Sequence, residues 1–234
     1  MLILGLDFET TGLDATENRV IEIGAVVWDT DRRRPVQLFS ELIKPEPHIQ
    51  LPPEITEVTG ITQEDIDRFG EDGVAAFSRL QDLVSQCDYV VAHNVSFDRS
   101  FYENELMRCG FVADPSKPWI DTLYDLPFSN RVSSRKLTHV AADYGVFNPY
   151  SHRALFDVIT MLQLLSQFDF DEVLVRQKSP NVEVVSHVTY DEREEAKKMG
   201  FRWDAGRRIW VKSMKACDAN PGVFPFDISV HELN

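Results

Sequence analysis

The chain has 234 residues, 43% of them hydrophobic and 11% aromatic, enough for one sizeable buried core and a smaller appended unit. Its 24 Lys and Arg stand against 38 Asp and Glu, a net charge of -14 that argues against a general nucleic-acid binder with a basic face. No apolar run reaches the ~20 residues of a membrane span, and the apolar start is short, acidic and without a basic flank. Cys87, Cys109 and Cys217 are scattered and lack CxxC spacing, so a reducing, cytoplasmic setting without structural zinc or membrane contact is expected.

Residues 2–8 read as a buried strand, and VIEIGAVVWD and VQLFSELIKP as a second and third. Short turns between them predict an antiparallel meander. A proline-rich stretch follows, with a cap-like pair, Thr62 and Asp65, announcing a helix. EDGVAAFSRLQDLVSQC is amphipathic, with Val74, Phe77, Leu80, Leu83 and Val84 at helical spacing. DYVVAHN then reads as a strand and SFDRSFYENELMRCG as a helix closing at Gly110. WIDTLYDL, RKLTHVAADYGV and SHRALFDVITMLQLL continue the alternation. The pattern predicts an α/β fold, a mixed sheet flanked by helices.

The first strand ends on two acids, Asp7 and Glu9, which share one face because side chains alternate. Two carboxylates on a buried strand repel and lose hydration, so a divalent cation is the natural counter-charge. Asp98 opens a helix after a strand, and Asp157 lies among Ala154, Leu155, Val158, Ile159, Met161 and Leu162. Taken singly, Asp98 reads rather as a helix cap, Asp157 as a surface acid and His152 as a solvated loop residue. Oxygen-only ligands suit Mg²⁺ or Mn²⁺, and four carboxylates from three elements suit two ions that clamp a phosphodiester.

DFETTG, AHNVSFD and HRALFD, in this order and at these separations, resemble the three exonuclease motifs of the DEDDh family of 3′–5′ exonucleases. The similarity spans roughly residues 1–170. VTGIT matches another recurrent segment, with Thr59 where many members carry His. The resemblance implies a ribonuclease-H-like fold and hydrolysis of nucleotides from a 3′ end, single-stranded DNA being favoured. It makes Asp7, Glu9, Asp98 and Asp157 the metal-binding carboxylates and His152 the general base. Thr10, Thr11, Leu13, Asn94 and Phe97 become the expected contacts to the terminal nucleotides; ordinary core packing is the competing reading for Leu13 and Phe97. His152 precedes Asp157 by five positions, about 140° around an ideal helix, and so belongs at the helix entrance or in the loop before it.

Residues 1–176 are read as the exonuclease domain, VRQKSPN (175–181) as a linker, and 177–234 as a small α+β module. Charge divides accordingly, with 14 Lys/Arg against 29 Asp/Glu over residues 1–175 and 10 against 9 beyond. The module reads as strand VEVVSHV, helix YDEREEAKKMG and hairpin FRWDAGRRIWV. Its GxRWDxxxxxW pattern resembles small modules appended to phage and mobile-element proteins. Basic residues interleaved with Phe201, Trp203 and Trp210 suit single-stranded nucleic acid, and an aromatic mini-core is the competing reading. The same motifs also fit an exoribonuclease, and an idle exonuclease fold used for binding or assembly is the alternative outside enzymes.

Overall fold

The computed structural model describes residues 1–128, 132 and 134–232. Two compact units divide the chain, one of residues 1–126 with 132–170, the other of residues 127 and 128 with 171–232.

The first unit opens with the expected meander, β1 (Leu2–Thr10), β2 (Val20–Asp29) and β3 (Arg34–Lys44), paired antiparallel. β2 is buried from Val20 to Trp28, which its continuous VIEIGAVVW composition anticipates for a strand covered on both faces. Helices α1 (Pro53–Thr59) and α2 (Gln63–Phe69) follow. The Thr62 hydroxyl accepts from the Asp65 N–H while Asp65 accepts from the Thr62 N–H, a capping box at the predicted place. The dipeptide β4 (Glu71–Asp72) leads into α3 (Gly73–Gln86), which buries Ala76, Phe77, Leu80, Leu83 and Val84. Val74, expected on that face, is instead 49% exposed in the first turn of α3.

Next come β5 (Tyr89–Ala92), α4 (Val95–Arg108), β6 (Trp119–Asp121), α5 (Leu137–Asp143) and α6 (Ala154–Leu165). Of the segment WIDTLYDL only the first three residues are strand, since Asp121 accepts the Leu123 N–H and turns the chain. The sheet order is β4-β3-β2-β1-β5-β6, with β1, β5 and β6 parallel. This is a mixed sheet with β1 near its centre, so the end of β1 lies between the antiparallel meander and the parallel half.

α6 packs onto β1 and β2 at two glycines. A Cβ on Gly5 would come within 2.7 Å of Val158 and Leu162, and one on Gly24 within 2.2 Å of the Ala154 backbone. A side chain at Gly24 would lift the helix, and one at Gly5 would press on the side chains of Val158 and Leu162. Gly24 stands opposite Asp7 in the β1–β2 register, so the contact brings the first turn of α6 against the acidic end of β1.

In the second unit, the segment expected as a linker is instead the end of α7 (Phe170–Lys178) and the beginning of β7 (Asn181–Ser186). Arg176 is buried and paired with Asp218, which anchors the helix; Pro180 then ends it. After β7 come α8 (Arg193–Lys198), β8 (Arg202–Asp204), β9 (Ile209–Lys215) and β10 (Ile228–Glu232), in an antiparallel sheet of order β10-β7-β9-β8. Val182, Val184, Ala196, Phe201 and Phe224 form its core, with Trp210 and Met214 packed against them.

Candidate active site

The acids at the end of β1 sit where three elements converge. Asp7 and Glu9 come from β1, Asp98 from α4 and Asp157 from α6. Glu9, Asp157 and His152 place one ligand atom each within 4.8 Å of one another. Asp7 is held well above the usual carboxylate range, by burial first and then by the charges of Asp98, Glu9, Asp157 and Glu22. Burial, with Asp157 and Glu22, pushes Glu9 up to about 8 against the opposing pull of Arg153. Burial likewise raises Asp98 and Asp157. The four carboxylates are therefore one coupled acidic centre.

Local structure aims each of them. Asp98 is not the helix cap. Asn94 takes that position with left-handed backbone (φ 84°), and Asp98 lies one turn in, 2% exposed, with a buried Oδ1 that has no hydrogen-bond partner. The start of α4 is instead capped from β6: Asp121 accepts the N–H groups of Asn94 at 3.1 Å and Val95 at 3.0 Å. On α6, Asp157 accepts from the Asn148 amide at 2.6 Å and from the His152 N–H at 2.8 Å. His152 is exposed, in the loop before the helix as its spacing requires, and has a positive φ of 62°. The loop carrying it is thus tied to the carboxylate it faces.

Glu22 escaped the sequence reading. It is 2% exposed, stands opposite Glu9 in the β1–β2 register, and receives the Arg153 guanidinium (Nη2 at 2.8 Å) and the Ala154 N–H at 2.9 Å. It caps α6 from the neighbouring strand and offsets its own buried charge with Arg153. Its signal was present: an acid inside the apolar run VIEIGAVV is the same anomaly that exposed Asp7 and Glu9.

The expected nucleotide contacts part ways. Leu13 is 86% exposed, which removes core packing as its explanation, while Phe97 packs on the core with its ring 4.9 Å from Phe101. Asn94 is exposed. Thr10 at the end of β1 and Thr11 just after it are buried: the Thr10 hydroxyl donates to the Gly12 carbonyl, and the Thr11 N–H to that of Arg19. The loop beyond is held by Arg108 of α4, which donates to the carbonyls of Ala15, Thr16 and Asn18. Thr59 is buried; its hydroxyl donates to Ile55 and accepts from the Ile61 N–H.

A buried acidic centre on the end of a central strand, next to a loop that carries a histidine, is an arrangement suited to a nuclease, and comparison with known proteins gives the class a family. The chain belongs to the exonuclease family, whose sequence pattern matches residues 4–165. It is 32% identical over 189 residues to the DNA polymerase III subunit epsilon of Treponema pallidum, covering 77% of this chain and 80% of that one. It is 34% identical over 166 residues to the PolC-type DNA polymerase III of Thermotoga maritima, covering 70% of this chain but only 11% of the polymerase. Among solved structures, Escherichia coli exonuclease I in complex with a dT13 oligonucleotide superposes with a TM-score of 0.62 at 17% identity, over 79% of this chain and 48% of that one. The nuclease domain of 3′hExo, a DEDDh family member bound to rAMP, gives 0.59 at 20% identity over 71% and 90%. The fold is the ribonuclease-H-like exonuclease fold, with a second small sheet at the C-terminal end. Residues 183–229 match a domain of unknown function (DUF8626). Among the described residues no helix is long and apolar enough to cross a membrane.

Proposed function

We propose that the chain is a 3′–5′ exonuclease that releases nucleoside monophosphates from single-stranded DNA ends. The observation that carries this reading is the acidic centre: four carboxylates from three elements, each raised first by burial and Asp7 also by the charges of the other three, and one of them holds a buried oxygen without a partner. Such an arrangement is stable only when protons or cations neutralise it. The donor set is oxygen-rich, which fits Mg²⁺ or Mn²⁺, and the orphaned Asp98 Oδ1 is an unused acceptor. Asp7, Glu9, Asp98 and Asp157 would hold two such ions, whose chemistry is to stabilise the attacking and leaving oxygens of the phosphodiester.

His152 accepts the proton of the attacking water. Its exposure and its place within reach of Glu9 and Asp157 suit that role, and the hydrogen bond from its own N–H to Asp157 fixes the loop while leaving the ring free. Glu22 and Arg153 hold the first turn of α6 in register with β1. Leu13 and Asn94 present exposed surface to the terminal nucleotides, and the turn at Thr10 and Thr11 shapes the floor beneath them. DNA is favoured as substrate because the relatives at 32–34% identity are a DNA polymerase III subunit epsilon and a PolC-type DNA polymerase III. RNA is the second reading, supported by the fold neighbour bound to rAMP.

The test is digestion of 5′-labelled single-stranded DNA, duplex DNA and RNA in parallel, with Mg²⁺ or with chelator. A ladder shortening from the 3′ end, fastest on single-stranded DNA and absent with chelator, is expected. Internal cuts, or a chelator-resistant ladder, would refute the reading.

A further inference from the structure

The second unit sorts its aromatic and basic residues in a way that their sequence alone does not show. Phe201 is 3% exposed and stacks edge-on with Phe224 and Phe226, so it is core. Trp210 packs partly into the same core. Trp203, its cross-strand partner on edge strand β8, is 50% exposed, with the two ring centroids 5.6 Å apart. The Lys197 ammonium lies 5.8 Å from the centre of the Trp210 ring. A half-exposed indole is thus supported on its inner side by a second ring, itself faced by a cation.

The cations divide too. Arg207 is engaged: it makes two 2.7 Å bonds to Glu183 and one to Asp204, and so joins the hairpin turn to β7. Lys212 donates to the Met199 carbonyl, and Arg176 pairs with Asp218. By contrast the side chains of Lys198, Arg202 and Arg208 make no hydrogen bond or ion pair among the described residues, although the Lys198 charge acts on nearby Glu194. Arg202 and Arg208 both belong to the hairpin that carries Trp203, and Lys198 ends α8 next to Lys197.

We propose that this hairpin is a stacking platform for unpaired bases of single-stranded nucleic acid, with Trp203 as the stacking face and Arg202, Arg208 and Lys198 as phosphate contacts. An exposed aromatic ring on an edge strand, with uncommitted arginine side chains on the same hairpin, is what sequence-tolerant binding of single strands uses, Arg202 reaching round the edge from the opposite face of β8. The alternative role, a ring buried as structural filler, is already taken by Phe201, Phe224 and Trp210. Charge supports the same occupant. The exonuclease unit is strongly acidic, so it repels a long polyanion beyond its active centre, and the second unit is the part that is not acidic overall. The inference deepens the exonuclease reading by naming where a single strand gains affinity.

The test uses the full-length protein with a fluorescein-labelled dT20 strand and EDTA, so that binding is read whether or not the chain hydrolyses DNA. Trp203→Ala should weaken binding about tenfold, within the range reported for loss of one stacked base, while Trp203→Phe should stay near wild type. Arg202→Gln with Arg208→Gln should flatten the log–log salt dependence by about 1.4, at about 0.7 per phosphate contact. Arg207→Gln should leave that slope unchanged and lower the melting temperature instead, because its partners are Glu183 and Asp204. Circular dichroism melts report whether each variant is folded; if Trp203→Ala is not, the comparison of Trp203→Phe with Trp203→Leu replaces it. Unchanged affinity in the folded alanine or leucine variant, or equal loss in the phenylalanine variant, would overturn the proposal. So would an unchanged salt slope in the double arginine variant.

Discussion

The contact between β2 and α6 makes a sharp prediction. Gly24→Ala adds one methyl group, and its carbon would lie 2.2 Å from the Ala154 carbonyl carbon, 2.3 Å from the Leu155 nitrogen and 2.6 Å from the Ala154 oxygen. These are backbone atoms of the first helical turn, so no side-chain rotation relieves them. Ordinary contact begins near 3.4 Å, and the helix must therefore withdraw by about 1.2 Å. That turn carries Asp157 and is capped by Glu22, and Asp157 in turn holds the His152 loop. A shift of about 1 Å in the position of reacting groups costs on the order of 10²-fold in rate, so Gly24→Ala should lose about that much. Overpacking should also remove about 1–3 kcal/mol of stability. Gly5→Ala is the control: its methyl group meets the side chains of Val158 and Leu162 at 2.7 Å, which yield more easily than backbone and lie beyond Asp157 on α6. It should lower stability comparably but activity by less than about tenfold. Single-turnover cleavage of a 5′-labelled oligonucleotide at saturating Mg²⁺, with thermal melts of both variants, decides the matter. A folded Gly24→Ala enzyme within about threefold of the wild-type rate would refute the claim that this approach sets the geometry of the acidic centre.

Three further outcomes are expected. Asp7→Ala and Asp157→Asn should each lower the rate by more than ~10²-fold and, without metal, melt no lower than wild type because charge repulsion is relieved; a variant keeping several per cent of the rate would show that its carboxylate is not essential. Because the Glu9 carboxyl is raised to about 8 in the folded protein from an ordinary value near 4.5, the native state binds more protons than the unfolded chain between those limits. The metal-free protein should therefore lose stability as pH rises from about 4.5 to about 8, and the melting shift produced by Mn²⁺ should be larger at the alkaline end; a metal shift independent of pH would contradict this. His152→Ala should abolish the acid limb of the pH–rate profile while leaving Mn²⁺ binding, followed by calorimetry, near wild type, and a retained limb would exclude His152 as the base.

What the sequence disclosed and what it withheld follow from the range of the interactions involved. β1, β2, α2 and the positions of Asp7, Glu9 and Asp157 were legible because each is written locally: an apolar run, a capping pair, an acid among aliphatics. Asp98 was found but not its setting, since Asn94 starts the helix and the cap comes from Asp121, 27 residues further on. The role of Gly24 was invisible for the same reason. Nothing near it in the chain reveals that Ala154 will lie against it. β10 was missed because ISVHE has little of a buried strand about it and becomes one only by pairing with β7 along Val182–Ser186. The supposed linker failed in the opposite sense: VRQKSPN is polar, but Arg176 is buried by pairing with Asp218, 42 residues away. In each case the missing information is a partner distant in sequence, and the partners fall into one pattern. Asp121 sets α4, and Glu22 with Gly24 sets α6. The two helices that carry Asp98 and Asp157 are each fixed at the N-terminal end by a carboxylate from a sheet strand. The carboxylates of the acidic centre announce themselves by their anomaly, whereas the groups that aim them are ordinary residues made important by register. For this centre the sequence therefore names the chemistry more readily than the precision with which the chemistry is held.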